Sequence, residues 1–533
     1  MCRWDGAVSA TNDLLQGEAG VEERRLREDL GFAGLTAIGF SNIVGSGWLF
    51  AALYAAQIAG PAALLSWIAA GVLCALVALV MVELGAAHPE GGGTARWPLY
   101  ANGRLAGSLV GWSVLLSVGG TAAEISAIMQ YAGRYLPWLY QDDMLTWPGV
   151  GAAIVTGAVL TAFNWFAVKL FGHLNNLVTA IKIAVPVLTV VALLASGFHP
   201  GNLTGHGGFA PHGYGACLSA LAGGGIVYSV NGFQAPVDFS GEARDPRRTV
   251  PLAVLAGIGL AVLVYLLLQV AFLFTVPENL LGNDWSGVDF DSPFGQLALI
   301  LNLHWLSVLL YADAVLSPGG SAFVGVAVDA RHTYALAKSG TLPRWFMRVS
   351  ERVGVPRRAL VLNLVLIVVF LLPFSGWQQI VSVMGDMYLV TYVASAVAAA
   401  VLRTRSGGQV AGWVPGLRWI APVSFVVASE FIYWSGWKDL RLALPLVLVG
   451  LPLFLVMRGR RSGTALLPEL RNGAWLVTYL AALLLISWLG TFKGLSLIPA
   501  PWDTALVAAL SLGFFSWGVG SGRALEELPQ EAV

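Results

Sequence analysis

Three ionisable side chains interrupt runs that are otherwise apolar: Glu124 in VGGTAAEISAIMQY, Lys182 in NNLVTAIKIAVPVLTVV and Asp313 in LYADAVLSPGG. An isolated charge at the centre of a bilayer costs at least about 2.5 to 3.5 kcal/mol, so a group of this kind marks a place where ions or protons are handled. A lysine there can take up and release a proton as its cavity opens and closes, and either carboxyl can serve as a second proton site or as its partner. Two other stretches offer backbone chemistry. In IGFSNIVGSGWLF the residues Val44, Gly45, Ser46 and Gly47 are poor helix formers, and LAGGGIVYSVNGFQAPVDFSG carries Tyr228, Ser229, Val230, Asn231 and Gly232 in mid-run with Pro236 close behind. A helix broken inside hydrocarbon strands N–H and C=O groups at several kcal/mol each unless they face protein or a polar cavity. Close packing by small residues is the simplest use of one break. A pair can build a site, because half-helix N-termini present N–H donors and a positive dipole end to an anion while freed carbonyls receive a cation or amine.

The elements that position these groups follow from composition. Of 533 residues 57% are hydrophobic and 11% charged, and the mean hydropathy is +0.72, against about 25% charge in a soluble domain. Apolar runs of membrane-crossing length recur along the chain, long and continuous where a β-barrel would alternate, so the expected class is an all-α polytopic membrane protein. Fourteen runs are read near 31–55, 61–84, 106–133, 149–167, 173–196, 215–240, 250–275, 300–336, 358–373, 378–402, 419–436, 440–457, 473–490 and 503–520. The polar first 30 residues have no apolar leader core and read as a cytoplasmic tail. With that end inside, 25 of the 30 basic residues fall in cytoplasmic segments and only Arg134, Lys438, Arg441 and Lys493 outside, with Lys182 within a run; the positive-inside rule favours this orientation. Two outer loops, 197–214 and 277–299, lack Lys and Arg and are expected to cap the outer mouth. The stretch His88 to Tyr100, with three successive glycines, is expected to be a flexible connector or a partly re-entrant gate.

The breaks lie in the first and sixth runs, the offset of an inverted repeat relating runs 1–5 to runs 6–10 with a site at the midplane. On that pattern the chain divides into a tail (1–30), a ten-helix core (31–402, repeats about 31–197 and 215–402), four additional helices (403–520) and a second cytoplasmic tail (521–533).

The segments GFSNIVGSGWLF, AGPAALLSWIAAGVLCALVALVMVELGAAHPEGGG, FSGEARDPRRTVP and ARHTYALAKSGTLPRWF together resemble the amino acid, polyamine and organocation transporter superfamily, over runs 1 to 9. LYADAVLSPGG, FIYWSGWKDL and the fourteen runs resemble its bacterial aspartate:proton symporter branch. The resemblance implies a LeuT-like 5+5 inverted repeat, an α-carboxylate bound by Val44, Gly45, Ser46 and Gly47, and an α-amino group bound by carbonyls of Tyr228 to Gly232, with Tyr228 as an aromatic gate. It also implies that Lys182 stands in for a sodium ion, touching Ser46 or nearby carbonyls and Ser317. Many relatives carry Glu after the second break; Phe233-Gln234 here disfavours a cationic substrate.

The resulting expectation is proton-coupled uptake of aspartate or glutamate across the cell (inner) membrane, with amino acid, protons and the lipid bilayer as partners. A neutral amino acid permease, an amino acid/amine exchanger and a non-transporting amino acid receptor are the competing readings. No intramembrane Arg is available to pair a second carboxylate. No Walker loop, zinc spacing or dinucleotide motif is present, so no enzyme activity, cofactor, metal or nucleic-acid partner is expected. Glu83, Asp386 and Glu430 are read as structural or gating groups, Cys2, Cys74 and Cys217 as packing residues, and Trp97, Trp138, Trp147, Trp437 and Trp502 as interfacial anchors.

Overall fold

The computed structural model describes residues 30–88, 93–142, 144–166, 168–240, 243–282, 284–350, 355–372, 376–405, 413–459 and 466–524; the expected tails and Gly91 and Gly92 lie outside them, apart from Leu30 and 521–524. The helices are α1 (Phe32–Ile43), α2 (Gly47–Ala59), α3 (Ala63–Ala87), α4 (Gly93–Leu116), α5 (Gly119–Gly133), α6 (Trp147–Phe166), α7 (Val168–Ser196), α8 (Gly215–Gly223), α9 (Ile226–Val230), α10 (Ala235–Asp238), α11 (Pro246–Thr275), α12 (Pro293–Ile300), α13 (His304–Lys338), α14 (Arg357–Leu371), α15 (Trp377–Arg405), α16 (Leu417–Ser435), α17 (Trp437–Leu448), α18 (Gly450–Gly459), α19 (Leu466–Leu489) and α20 (Trp502–Arg523). The one sheet among the described residues is a two-stranded hairpin of Tyr140–Gln141 with Met144–Leu145. Each of the fourteen apolar runs carries helix, and ten helical stretches among the described residues are long and apolar enough to cross a membrane. Helices satisfy their own backbone, which hydrocarbon cannot do for them. The protein is thus an all-α, multi-pass membrane protein.

The packing is reciprocal between the two halves. α1 lies against α11 and α7, while the segment α8–α10 lies against α3 and α15; α3 packs on α11, α5 on α13 and α4 on α15. Each broken helix is thus enclosed by elements of both halves. The additional helices flank α4, α15 and α3: α19 packs on α4, and α16 on α15 and α3. Glu83, at the end of α3, accepts the Val414 N–H at 2.8 Å and lies 3.4 Å from Arg403, fastening α3 to the segment joining α15 and α16. Asp386 accepts the Ser435 hydroxyl across α15 and α16.

The two loops expected to cap one mouth pack over the end of α2, the start of α3 and the end of α11. Asn202 donates to the Leu273 and Val276 carbonyls, the Ala62 N–H donates to Phe209, and Gln57 donates to Val288. Asp284 accepts from the Ser286 hydroxyl and amide, which hold its carboxyl below the usual carboxylate range.

Three sequence expectations are corrected. The stretch before run 3 is not a flexible connector from Gly93 onward: it is helical, and the backbone turns sharply at Gly103 (φ 81°) before continuing to Leu116. Trp97 is fully buried rather than interfacial, because Gly93 lacks the Cβ that would collide with its ring at 2.6 Å; Trp138, Trp147 and Trp502 are exposed and Trp437 is half-buried. Run 6 is interrupted twice, at Gly224–Gly225 and at Asn231–Gln234, so Tyr228, Ser229 and Val230 form a helical turn between two breaks.

Close contact between α3 and α11 depends on Gly71, where an added Cβ would fall 2.9 Å from Val262 Cγ1, whereas Gly259 on α11 has nothing within 4 Å. Gly71→Leu is expected to cost about 1–3 kcal/mol through overpacking and to lower the melting temperature of the detergent-purified protein. Gly259→Leu should leave it unchanged; equal effects would contradict this packing.

Candidate substrate and proton site

At the first break, α1 ends in carbonyls that have lost their helical partners. Three of them, those of Ser41, Ile43 and Val44, find side chains from other helices. The buried Lys182 ammonium, on α7, donates to the Ser41 carbonyl at 2.7 Å and to the Ser321 hydroxyl of α13 at 2.7 Å. Ser321 in turn donates to the Ser41 and Val44 carbonyls at 3.2 and 3.3 Å, and the Tyr265 hydroxyl of α11 reaches the Ile43 carbonyl at 3.1 Å. Lys182 is completely buried and does not reach an interface.

On the other side of the break α2 begins with an unanswered N-terminus, since Ser46 makes no side-chain cap. Glu124 supplies the acceptor. Its Oε2 takes the Ser46 N–H at 2.7 Å, and its Oε1 accepts the Tyr228 hydroxyl at 3.0 Å. The Ser46 hydroxyl accepts the Trp377 indole N–H at 2.6 Å. Negative charge at a helix N-terminus is stabilised by the free N–H groups and the dipole, so the position that resemblance assigns to a substrate carboxylate is filled by the protein's own.

The second break is pressed against the first. Asn42 donates to the Gly232 carbonyl at 3.0 Å. Gly232 has φ 103°, a conformation that glycine adopts without cost, and a Cβ there would lie 2.7 Å from the Asn42 carbonyl oxygen. A Cβ on Gly47 would meet Ser229 Oγ at 2.3 Å, and one on Gly45 would meet Glu124 Oε1 at 2.3 Å. The space at Gly47 and Gly45 is therefore occupied by Ser229 and Glu124. Asn231 accepts from the Tyr392 hydroxyl and bonds the Gly232 N–H, while Gln234 donates to Tyr388 at 2.7 Å.

A cavity of about 90 Å³ adjoins both breaks, lined among others by Asn42, Glu124, Tyr228, Asn231, Gly232 and Ser321. By the volume one water needs, that is room for roughly six to nine waters. Its wall continues to Asp238 of α10 and Asp329 of α13. Asp329 accepts weakly from Ser117 and Thr121, and buried His332 places Nε2 3.5 Å from Asp238. None of these three was singled out from sequence, where each lies near the end of a run and reads as an interfacial group. On the loop side of the breaks is a second cavity of about 330 Å³, lined by Tyr54, Gln57, Gln130, Asp289 and Trp377. Trp377 separates the two. It stacks on Phe50 (4.8 Å) and Tyr54 (5.9 Å) and meets Tyr228 edge-on at 5.9 Å, while Phe50 also packs on Tyr131.

Of the predicted residues, Val44 to Gly47, Tyr228, Ser229, Asn231, Gly232, Glu124 and Lys182 lie at the two breaks, but only Tyr228, Asn231, Gly232 and Glu124 of these line the cavity. Val230 is buried in α9 and does not line the cavity. The α13 partner of Lys182 is Ser321, not Ser317: one helical turn separates them, and the hydroxyl level with the Ser41 carbonyl is the later one. Ser317 Oγ has no hydrogen bond. Asp313 is buried with neither oxygen hydrogen-bonded, about two turns along α13 from Ser321, and does not line either cavity.

Comparison with known proteins gives the family. A family pattern described as "Amino acid permease" covers residues 30–451. The chain belongs to the amino acid permease family. This permease is 36% identical over 517 residues to the "Glutamate/serine transporter AimA" of Bacillus subtilis (strain 168), spanning 95% of this chain and 96% of that one. It is 32% identical over 509 residues to the "Aspartate-proton symporter" of the same bacterium, 94% and 96% being covered. The "Cationic amino acid transporter 4" of Mus musculus is 28% identical over 403 residues, 72% of this permease and 62% of that chain.

Ser321→Ala removes a hydrogen bond to a charged group, worth about 1.5–3 kcal/mol, and is expected to lower the melting temperature of this permease. Ser317→Ala removes an unbonded hydroxyl and should change it little. The reverse order would place the Lys182 partner one turn earlier.

Proposed function

We propose that the protein is a secondary transporter that takes up an amino acid with a proton by alternating access, and that its preferred substrate is acidic, aspartate or glutamate. The observation that carries the coupling is the Lys182 ammonium, fully buried and shared between the Ser41 carbonyl and Ser321. One mobile positive charge there joins α1, α7 and α13, and its loss on deprotonation removes the link. The α-carboxylate is assigned to the N-terminus of α2 at Gly45 to Gly47, and the ammonium to the carbonyls and side chains around Asn231 and Gly232. The acidic preference rests on the two Bacillus relatives, one named for glutamate and serine and the other for aspartate and the proton. Residues 31–402 form the transport core in this reading, with repeats of about 31–197 and 215–402, and 403–520 are a flanking unit. The termini are assigned to the cytoplasm on the distribution of Lys and Arg, and the location to the cell membrane.

A neutral substrate such as serine is the second reading, and one feature favours it. The residues lining the inner cavity include Glu124, Asp238 and Asp329 and no Lys, Arg or His, so a second substrate carboxylate meets repulsion unless protons accompany it.

Reconstituted vesicles carrying labelled L-aspartate, L-glutamate or L-serine outside are expected to accumulate substrate when the outside is acidic relative to the lumen, and not when the gradient is collapsed. Lys182→Met and Lys182→Arg should both abolish accumulation, the first by removing the charge and the second by fixing it, since guanidinium stays protonated. Accumulation in both variants with the parent's pH dependence would make Lys182 passive. Stronger competition by serine than by aspartate would select the neutral reading.

A further inference from the structure

We propose that Glu124 is a built-in occupant of the substrate's carboxylate seat, displaced by an incoming amino acid together with the binding of one proton to its carboxyl group; this rests on the transport reading above. The seat is an N–H at the start of a 13-residue helix that has no cap of its own, and Glu124 fills it from a different helix, α5. Both carboxylate oxygens are committed, Oε2 to Ser46 and Oε1 to Tyr228. Gly45 is what admits them, since any Cβ there would overlap Oε1.

A substrate carboxylate seeking the Ser46 N–H therefore finds it taken. Two anions cannot share one donor, and beside the buried Glu124 their repulsion is poorly screened. Neutralising one resolves the conflict. Protonated Glu124 has an O–H to donate and no longer competes as an anion for the helix end. The exchange balances without a covalent step: the Ser46 N–H changes acceptor, one amino acid enters and one proton from solvent binds Glu124. On release to the other side both leave, and the carboxylate returns to Ser46. The bound proton is then counted with the substrate by direct competition, a coupling separate from the Lys182 link.

Other groups around Glu124 set the pH range. Lys182 on α7 acts on it electrostatically, Tyr228 donates to it, and Tyr265 of α11 feels its charge. α13 contributes Asp329, held by Thr121 one turn away on α5, and Asp313. On α15, Tyr388 is tied to Gln234, and Asp386 is tied to Ser435 of α16. α6 contributes no charged residue, and α14 only Arg357 and Arg358 at its start.

The test is calorimetric titration of the purified full-length protein with L-glutamate, L-aspartate and L-serine, in buffers of different ionisation enthalpy and at several pH values. About one proton should be taken up per amino acid bound, and affinity should fall about tenfold per pH unit on the alkaline side. Glu124→Gln should bind with no such uptake and with affinity flat in pH. Binding to the parent without proton uptake would overturn the proposal, and this arm needs no variant to fold. So would unchanged uptake in folded Glu124→Gln, or complete loss of its binding, which would make Glu124 a substrate ligand. If the parent binds none of the three amino acids, the transport reading fails and the proposal fails with it.

Discussion

The structure depends on how two interrupted helices satisfy backbone groups that hydrocarbon cannot. At the first break the loose carbonyls of Ser41, Ile43 and Val44 are met by Lys182, Tyr265 and Ser321, and the loose N–H of Ser46 by Glu124. These partners come from α7, α11, α13 and α5, so the first break is the point to which four other helices are tied. The second break is fastened to the first through Asn42 and Gly232 and through the Gly47–Ser229 approach. An unmet backbone group costs several kcal/mol in a membrane. Neither break can therefore move without a replacement partner, and a substrate with a carboxylate and an ammonium group carries one of each kind.

That constraint gives the asymmetry of the molecule a physical meaning. On the loop side, Trp377, Phe50, Tyr54 and Tyr131 form an aromatic partition above the breaks. On the other side, the cavity runs to Asp238 and Asp329. Trp377 is bonded to Ser46, the same residue whose N–H holds Glu124. The partition and the N–H that Glu124 occupies thus share one residue.

Much of this was legible in the chain, for identifiable reasons. Hydropathy gives the helices because a run must be long and continuous to cross a bilayer. The glycine pairs give the first break because few other residues tolerate such close approach, and Lys182 and Glu124 stand out because charge is costly where they are. What was not legible depends on register and distance. Ser321 and Ser317 are equivalent on a helical wheel to within one turn, and only the height of the Ser41 carbonyl distinguishes them. Gly224–Gly225 and Asn231–Gly232 both read as weak helix, and the chain breaks at both. Asp238, Asp329, His332 and Trp377 sit near the ends of their runs, where sequence assigns polar and aromatic residues to an interface. Their placement inside follows from how α10, α13 and α15 cross α4 and α5.

The most direct measurement is an experimental structure of the protein with an amino acid bound at acidic pH. The account predicts the α-carboxylate on the Ser46 N–H, the ammonium toward Asn231 and Gly232, and Glu124 withdrawn from α2. An amino acid bound elsewhere, with Glu124 still on Ser46, would contradict it.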